Sequence, residues 1–197
     1  RIDYLYSHGK GITPEASRMM NTHNNTWASD HPAVLSSFNL GAPDIGIISY
    51  NILEGFKNAR SERFPAGSER QAAVSDWLAE QAPAIVGFQE LNGYTEERLA
   101  EESRAWGHGY AATVKEGGYI VGLTSREPIT VIERHLEGMH HGSLHARTMG
   151  IDCFVVHLSP FSYEHRQREA KMIIQRVKKS VQAKHPVIVM GDFNEIG

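Results

Sequence analysis

Little in the chain suits a disulfide scaffold or a membrane span. Its 197 residues contain one cysteine, Cys153, which leaves no partner for an internal disulfide. Cys153 stands in an apolar run, where a buried, inert thiol is expected. No apolar run reaches the roughly 18 residues that a spanning helix needs. No charged stretch leading into an apolar one opens the chain, so no signal peptide is visible, and Arg1 reads as an internal start. Compartment stays open. Charge of one sign is also lacking. The 20 Lys and Arg stand against 23 Asp and Glu, a formal net charge of −3. That supplies no overall attraction to nucleic acid and leaves only local basic patches. Repeats and low-complexity segments are absent, and the length and an apolar share of 41% fit one globular domain, with a monomer expected.

What is present is an interleaving of strand-like and helix-like segments. Strands are expected over 2–7, 32–38, 45–50, 85–88, 119–124, 129–133, 149–157 and 186–190. The stretch up to Ala28, rich in Gly, Asn, Thr and His, reads as a loop. Gly41-Ala42-Pro43-Asp44 is a turn signal that would join 32–38 to 45–50 as an antiparallel hairpin. Ala73, Val74, Trp77 and Leu78 recur at helical spacing, so a helix is expected over 70–81, closed by Pro83. A second helix is expected over 94–105, with Thr95, Glu96 and Glu97 suiting its first turn. A third covers 163–182, with Ala170, Ile173, Ile174 and Val177 as its inner face. Short strands among helices predict a layered α/β domain.

Polar residues gather where these strands end. Asn51 follows Ile47–Tyr50, and Glu90 follows the apolar strand at 85–88. His157 closes Phe154–Val156. Gly191-Asp192-Phe193-Asn194 follows Val187–Met190, and the alternation of an extended segment lets Asp192 and Asn194 share one face. Carboxylates and amides at strand ends can line a cleft and hold a hard divalent cation while their strands stay buried. Taken singly, each also reads as an ordinary surface or turn residue. Lys57, Arg60 and Arg63 could form a phosphate-binding loop, with a solvated polar loop as the commoner reading. His135, His140, His141 and His145 match no common zinc spacing and are read as loop residues, some beside the cleft.

Together with Ser29-Asp30-His31, Arg1-Ile2-Asp3-Tyr4 and Phe88-Gln89-Glu90, these motifs resemble the endonuclease/exonuclease/phosphatase superfamily, which includes secreted deoxyribonuclease and exonuclease III-like enzymes. The resemblance implies an α/β fold of two packed, mostly antiparallel sheets flanked by helices, a four-layer sandwich of the deoxyribonuclease I type. It implies hydrolysis of phosphodiesters with Mg²⁺, or Mn²⁺ as the alternative. Glu90 is implied as the principal metal ligand, with Asn51 and Asp30 beside it. Asp192 would orient or deprotonate water, Asn194 would hold the phosphate, His31 would bind the scissile phosphate or handle a proton with Asp3 fixing its tautomer, and His157 would donate to the phosphate. The partner is a phosphoester substrate, nucleic acid among the candidates. A phosphatase, a lipid-headgroup phosphodiesterase and a silent binding module on the same scaffold are the rival readings. The family often places an acidic residue two positions after the asparagine. Here that position is Leu53, with Glu54 one further on, which puts a second metal contact from this strand in doubt.

The order of the motifs departs from the family. Arg-x-Asp-Tyr and Ser-Asp-His close the family domain but open this chain. Residues 1–40 are therefore expected to correspond to the family's C-terminal part, and 45–197 to its N-terminal and central part, a circular permutation. A stretch of some tens of residues that the family carries before Arg-x-Asp-Tyr has no counterpart. Construction without that stretch, its loss, and joining of discontinuous pieces are the competing explanations, of which permutation is preferred.

Overall fold

The computed structural model describes residues 3–9, 12–21, 29–40, 44–57 and 67–195. Arg1, Ile2, Gly41-Ala42-Pro43, Arg60 and Arg63 lie outside them. In the described residues, strands β1 (Asp3–His8), β11 (Val187–Asp192), β10 (Ile151–His157), β9 (Ser143–Thr148) and β8 (Thr130–His135) form one sheet, in that order. The second sheet runs β2 (Thr13–Met20), β3 (Ala33–Asn39), β4 (Ile45–Asn51), β5 (Ile85–Gln89), β7 (Gly122–Ser125) and β6 (Tyr110–Thr113). Pairing is antiparallel except for one parallel pair in each sheet, β10 with β11 and β4 with β5. The expected hairpin of β3 and β4 is antiparallel.

The period-two alternation of strands sorts the side chains into layers. Cys153, Val155, Ile188 and Met190 belong to the large core that also holds Ile47, Ile85 and Phe88. Their sequence neighbours Val156 and Val189 instead pack with Ile173, Ala170 and Val177 of helix α3 (Tyr163–Gln182). Both faces of this sheet are thus covered, which is why every residue of β10 is buried. On the other side, Trp77 of helix α1 (Ser68–Gln81) meets Tyr50 edge-on, ring centroids 5.7 Å apart. The sheets interlock at Gly87. A Cβ on Gly87 would lie 2.7 Å from the Met190 sulfur, so Met190 occupies the space that Gly87 leaves empty.

Local chemistry fixes the helix ends. Thr95 accepts from Arg98 N (3.2 Å) at the start of helix α2 (Glu96–Ser103), and Ser162 accepts from His165 N (3.1 Å) at the start of α3. Helix α1 ends on Ala82, whose φ of 46° closes it before Pro83.

Four expectations need correction. The loop up to Ala28 contains strand β2, which pairs with β3; its side chains are almost all exposed, so no apolar alternation marked it. Strands β6 and β9 were also missed. In α3, Ile174 faces solvent, and the buried stripe is Glu169, Ile173 and Ser180. The histidines read as loop residues divide: His135 ends β8, His145 lies in β9, and His141 is buried.

One buried histidine predicts how stability varies with pH. His108 lies between Thr124 Oγ1 (2.8 Å from Nδ1) and the Pro83 carbonyl (2.9 Å from Nε2). Nε2 donates to that carbonyl, so the neutral ring is fully partnered. Burial, aided by the nearby Arg126 charge, pushes its pKa from 6.5 down to about 4. Below pH 6.5 the unfolded chain takes up a proton that the folded chain does not, so stability falls as pH drops from 6.5 towards 4. The loss is on the order of 3 kcal/mol. Urea unfolding across this range should show the decline, and His108→Gln should flatten it. An unchanged slope in that variant would refute the assignment.

Candidate active site

The site forms where the two parallel pairs end. In register, Asn51 pairs with Gln89 at the end of β4–β5, and His157 pairs with Asp192 at the end of β10–β11. Asp192 has the parity of Met190, and His157 that of Val155, so both side chains face the opposite sheet. Glu90 leaves its strand at a φ of 60°, and Asn194 stands at 50°. Leu53, Glu54 and Phe56 also have positive φ. Left-handed backbone in non-glycine residues is costly and concentrates at functional sites.

Asn51 joins the two sheets. Its Nδ2 donates to Glu90 Oε1 (3.0 Å) and to Asp192 Oδ2 (3.2 Å), while its Oδ1 accepts from Leu53 N (3.0 Å). Glu90 Oε2 accepts from Glu54 N (2.9 Å). Asp192 Oδ1 accepts from Asn194 N (2.8 Å), and Asn194 Nδ2 donates to the Leu158 carbonyl (2.8 Å), tying the ends of β11 and β10 together.

The N-terminal motifs arrive at the same place. His31 Nδ1 donates to Asp3 Oδ2 at 2.7 Å, both side chains fully buried. His31 Nε2 lies 3.7 Å from Asp192 Oδ2 and 3.9 Å from Asp30 Oδ1. Ser29 Oγ donates to the Asn51 carbonyl (2.6 Å) and accepts from His31 N (3.1 Å), which tethers this segment to the end of β4. His157 Nε2 lies 3.5 Å from Asp192 Oδ2. Asp192 thus stands between two imidazoles. Burial opposes protonation of His31, but the hydrogen bond and charge of Asp3, with Asp192 and Asp30 beyond, outweigh it and raise its pKa. Burial, with the charge of Asp3, raises that of Asp192.

All eight residues expected at the site therefore lie in one connected neighbourhood, with Asp30 at its rim. Among the described residues, Asp3, His31 and Asp192 are the His and acidic side chains whose donor atoms lie within 4.8 Å of one another. The Asp3–His31 hydrogen bond fixes the orientation of the imidazole and leaves Nε2 towards Asp192. The donor chemistry fits a hard divalent cation. Glu90 and Asp192 are buried carboxylates on either side of one amide, and such a gathering of oxygen ligands calls for positive charge.

Several residues here were not anticipated. Arg70, buried in α1, donates through Nη2 to the Ile52 and Leu53 carbonyls, both at 2.7 Å, and so holds the loop after Asn51. Tyr119 donates to Glu54 Oε1 (3.0 Å) and lies 5.2 Å from the His141 ring. Arg70 was detectable in principle, since it shares the helical stripe of Val74 and Trp77, where a charge is out of place. Tyr119 carried no such signal, while His141 stood among the histidines read as loop residues, some beside the cleft.

Residues 48–196 match the model of the Endonuclease/Exonuclease/phosphatase family. No curated protein matches the chain. Among solved structures it is similar to D. rerio TDP2 complexed with single strand DNA product, at 19% identity and a TM-score of 0.57, over 77% of this chain and 61% of that one. It is similar to an endonuclease/exonuclease/phosphatase family protein from Bacteroides thetaiotaomicron (17%, TM-score 0.52, 75% and 62%). A third is the 3′ phosphatase NExo from Neisseria bound to product DNA hairpin (18%, TM-score 0.51, 64% and 53%). At these identities the likeness shows the fold, and the chain spans less than two thirds of each.

Proposed function

The chain belongs to the endonuclease/exonuclease/phosphatase family, and from that premise we propose that it hydrolyses phosphodiester bonds with a divalent cation, Mg²⁺ in the first instance. The observation that carries this reading is the Asn51 amide held between Glu90 of one sheet and Asp192 of the other. Glu90, with Asn51 and Asp30, would hold the cation, which when bound neutralises phosphoryl charge and stabilises the leaving oxygen. Asp192 orients the attacking water and takes its proton as the water oxygen bonds to phosphorus. The bond from phosphorus to the leaving oxygen breaks, and a proton from His31 neutralises that oxygen. Asp3 fixes the His31 tautomer through Nδ1 and leaves Nε2 towards the cleft. His157 and the second amide hydrogen of Asn194 donate to the phosphoryl oxygens.

The permuted order belongs to the same proposal. Residues 1–40 take the place of the family's closing part, and 45–197 that of its opening and central parts. The antiparallel pairing of β1 with β11 and of β3 with β4 supports it, as does a family match that starts at residue 48.

Hydrolysis of bis(p-nitrophenyl) phosphate, p-nitrophenyl phosphate and plasmid DNA, each with Mg²⁺ and with chelator, tests the reading. Chelator-sensitive cleavage of the diesters is expected, with little cleavage of the monoester. Monoester cleavage alone would replace this reading with a phosphatase, and no turnover on any of the three would leave a binding module.

A further inference from the structure

A run of aromatic rings leads from the centre to the surface. His141 lies against His157, with ring centroids 4.2 Å apart and planes tilted by 30°. His140 meets His141 edge-on at 4.3 Å, and Phe161 meets His140 edge-on at 5.1 Å. The run starts at a buried ring and ends at Phe161, which is 79% exposed. Tyr163, also exposed, stands two residues on.

A single exposed phenylalanine is ordinary. This one is set on a rigid mount. Glu169 of α3, fully buried, accepts from His140 N at 2.6 Å and from Ser159 N at 2.7 Å. Arg166 donates to the Ser159 carbonyl (3.1 Å). One carboxylate therefore fixes both segments that carry the outer rings. Burial, with the charges of His140 and Lys115, pushes the His141 pKa down to about 3, so this ring is neutral and presents a π face. Leaving the Phe161 ring in water forgoes the gain from its burial. A flat ligand stacked on it would recover part of that.

Resting on the phosphodiesterase reading, we propose that Phe161, supported by His140, is a subsite that stacks an unpaired nucleobase next to the phosphate at His157, so the substrate class is single-stranded nucleic acid. A base offers the π face that a sugar or a polar headgroup lacks. Stacking of a base on an aromatic side chain is worth about 1–3 kcal/mol and tolerates sequence.

The test compares two oligonucleotides of equal charge, about twelve thymidines and its fully abasic counterpart, by fluorescence anisotropy. Equal phosphate number cancels the electrostatic contribution at fixed salt. The protein carries Asp192→Asn and Mg²⁺ is present, so the ligand is not consumed. The base-bearing strand should bind about tenfold more tightly. Phe161→Ala in that background should erase the ratio, and Phe161→Trp should restore it. An equal affinity for the two strands, or a ratio untouched by Phe161→Ala, overturns the subsite. Hydrolysis of bis(p-nitrophenyl) phosphate without any base preference would leave the proposed activity standing and remove the subsite. A base preference without hydrolysis of any diester would do the reverse.

Discussion

Glu90→Gln should lower diester turnover about a thousandfold, which is roughly 4 kcal/mol of transition-state stabilisation. The substitution keeps the size of the side chain and an oxygen to accept from Asn51 or Glu54, whose bonds to Glu90 measure 3.0 and 2.9 Å. It removes the negative charge that the proposed cation requires and sets an amide N–H₂ against a donor. Loss of Mg²⁺ binding by calorimetry should accompany the loss of rate, with far-ultraviolet circular dichroism unchanged. A variant that turns over at the parent rate would remove Glu90 from the site. His31→Ala is the companion, expected at about a hundredfold to ten-thousandfold for a positioned proton donor. It also strands the buried Asp3 carboxylate, so the double variant with Asp3→Asn separates lost chemistry from lost stability.

Gly191→Ala should unfold the protein. A Cβ at this position would lie 1.9 Å from the Val156 carbonyl oxygen, and the φ of 147° suits glycine alone. The contact is backbone to backbone within the parallel pair β10–β11, so no side chain can yield. A cost of roughly 4 kcal/mol or more would consume a large share of the stability of a domain this size, about 5–15 kcal/mol. Thermal melting should show a shift of many degrees, or no cooperative transition. A parent-like Tm would refute the close approach. The glycine of Gly-Asp-x-Asn therefore serves the packing of two strands, and the proposed catalytic roles fall to its neighbours Asp192 and Asn194.

The sequence displayed the site better than its supports. Asn51, Glu90, His157 and Asp192 were legible because each follows an apolar strand, and strand ends are where polar groups can be both fixed and reachable. Asp3 and His31 were legible only through resemblance, since their partners lie far along the chain. Strand β2 escaped because its side chains face water, and β6 because it is short. Glu169, like Arg70, sits on the apolar stripe of its helix, where periodicity marks the place of a buried charge but names no partner. Ile174 misled for the converse reason: its spacing admits the inner face, and the rotation of α3 puts it outside.

Met190 filling the gap at Gly87 has a consequence for how activity should respond to distant changes. That contact keys one sheet to the other two residues before Asp192 and three before Glu90. A displacement of about 1 Å between reacting groups can cost a hundredfold in rate. Turnover is thus a vernier on the sliding of one sheet over its mate, able to fall while each keeps its own hydrogen-bonded ladder whole.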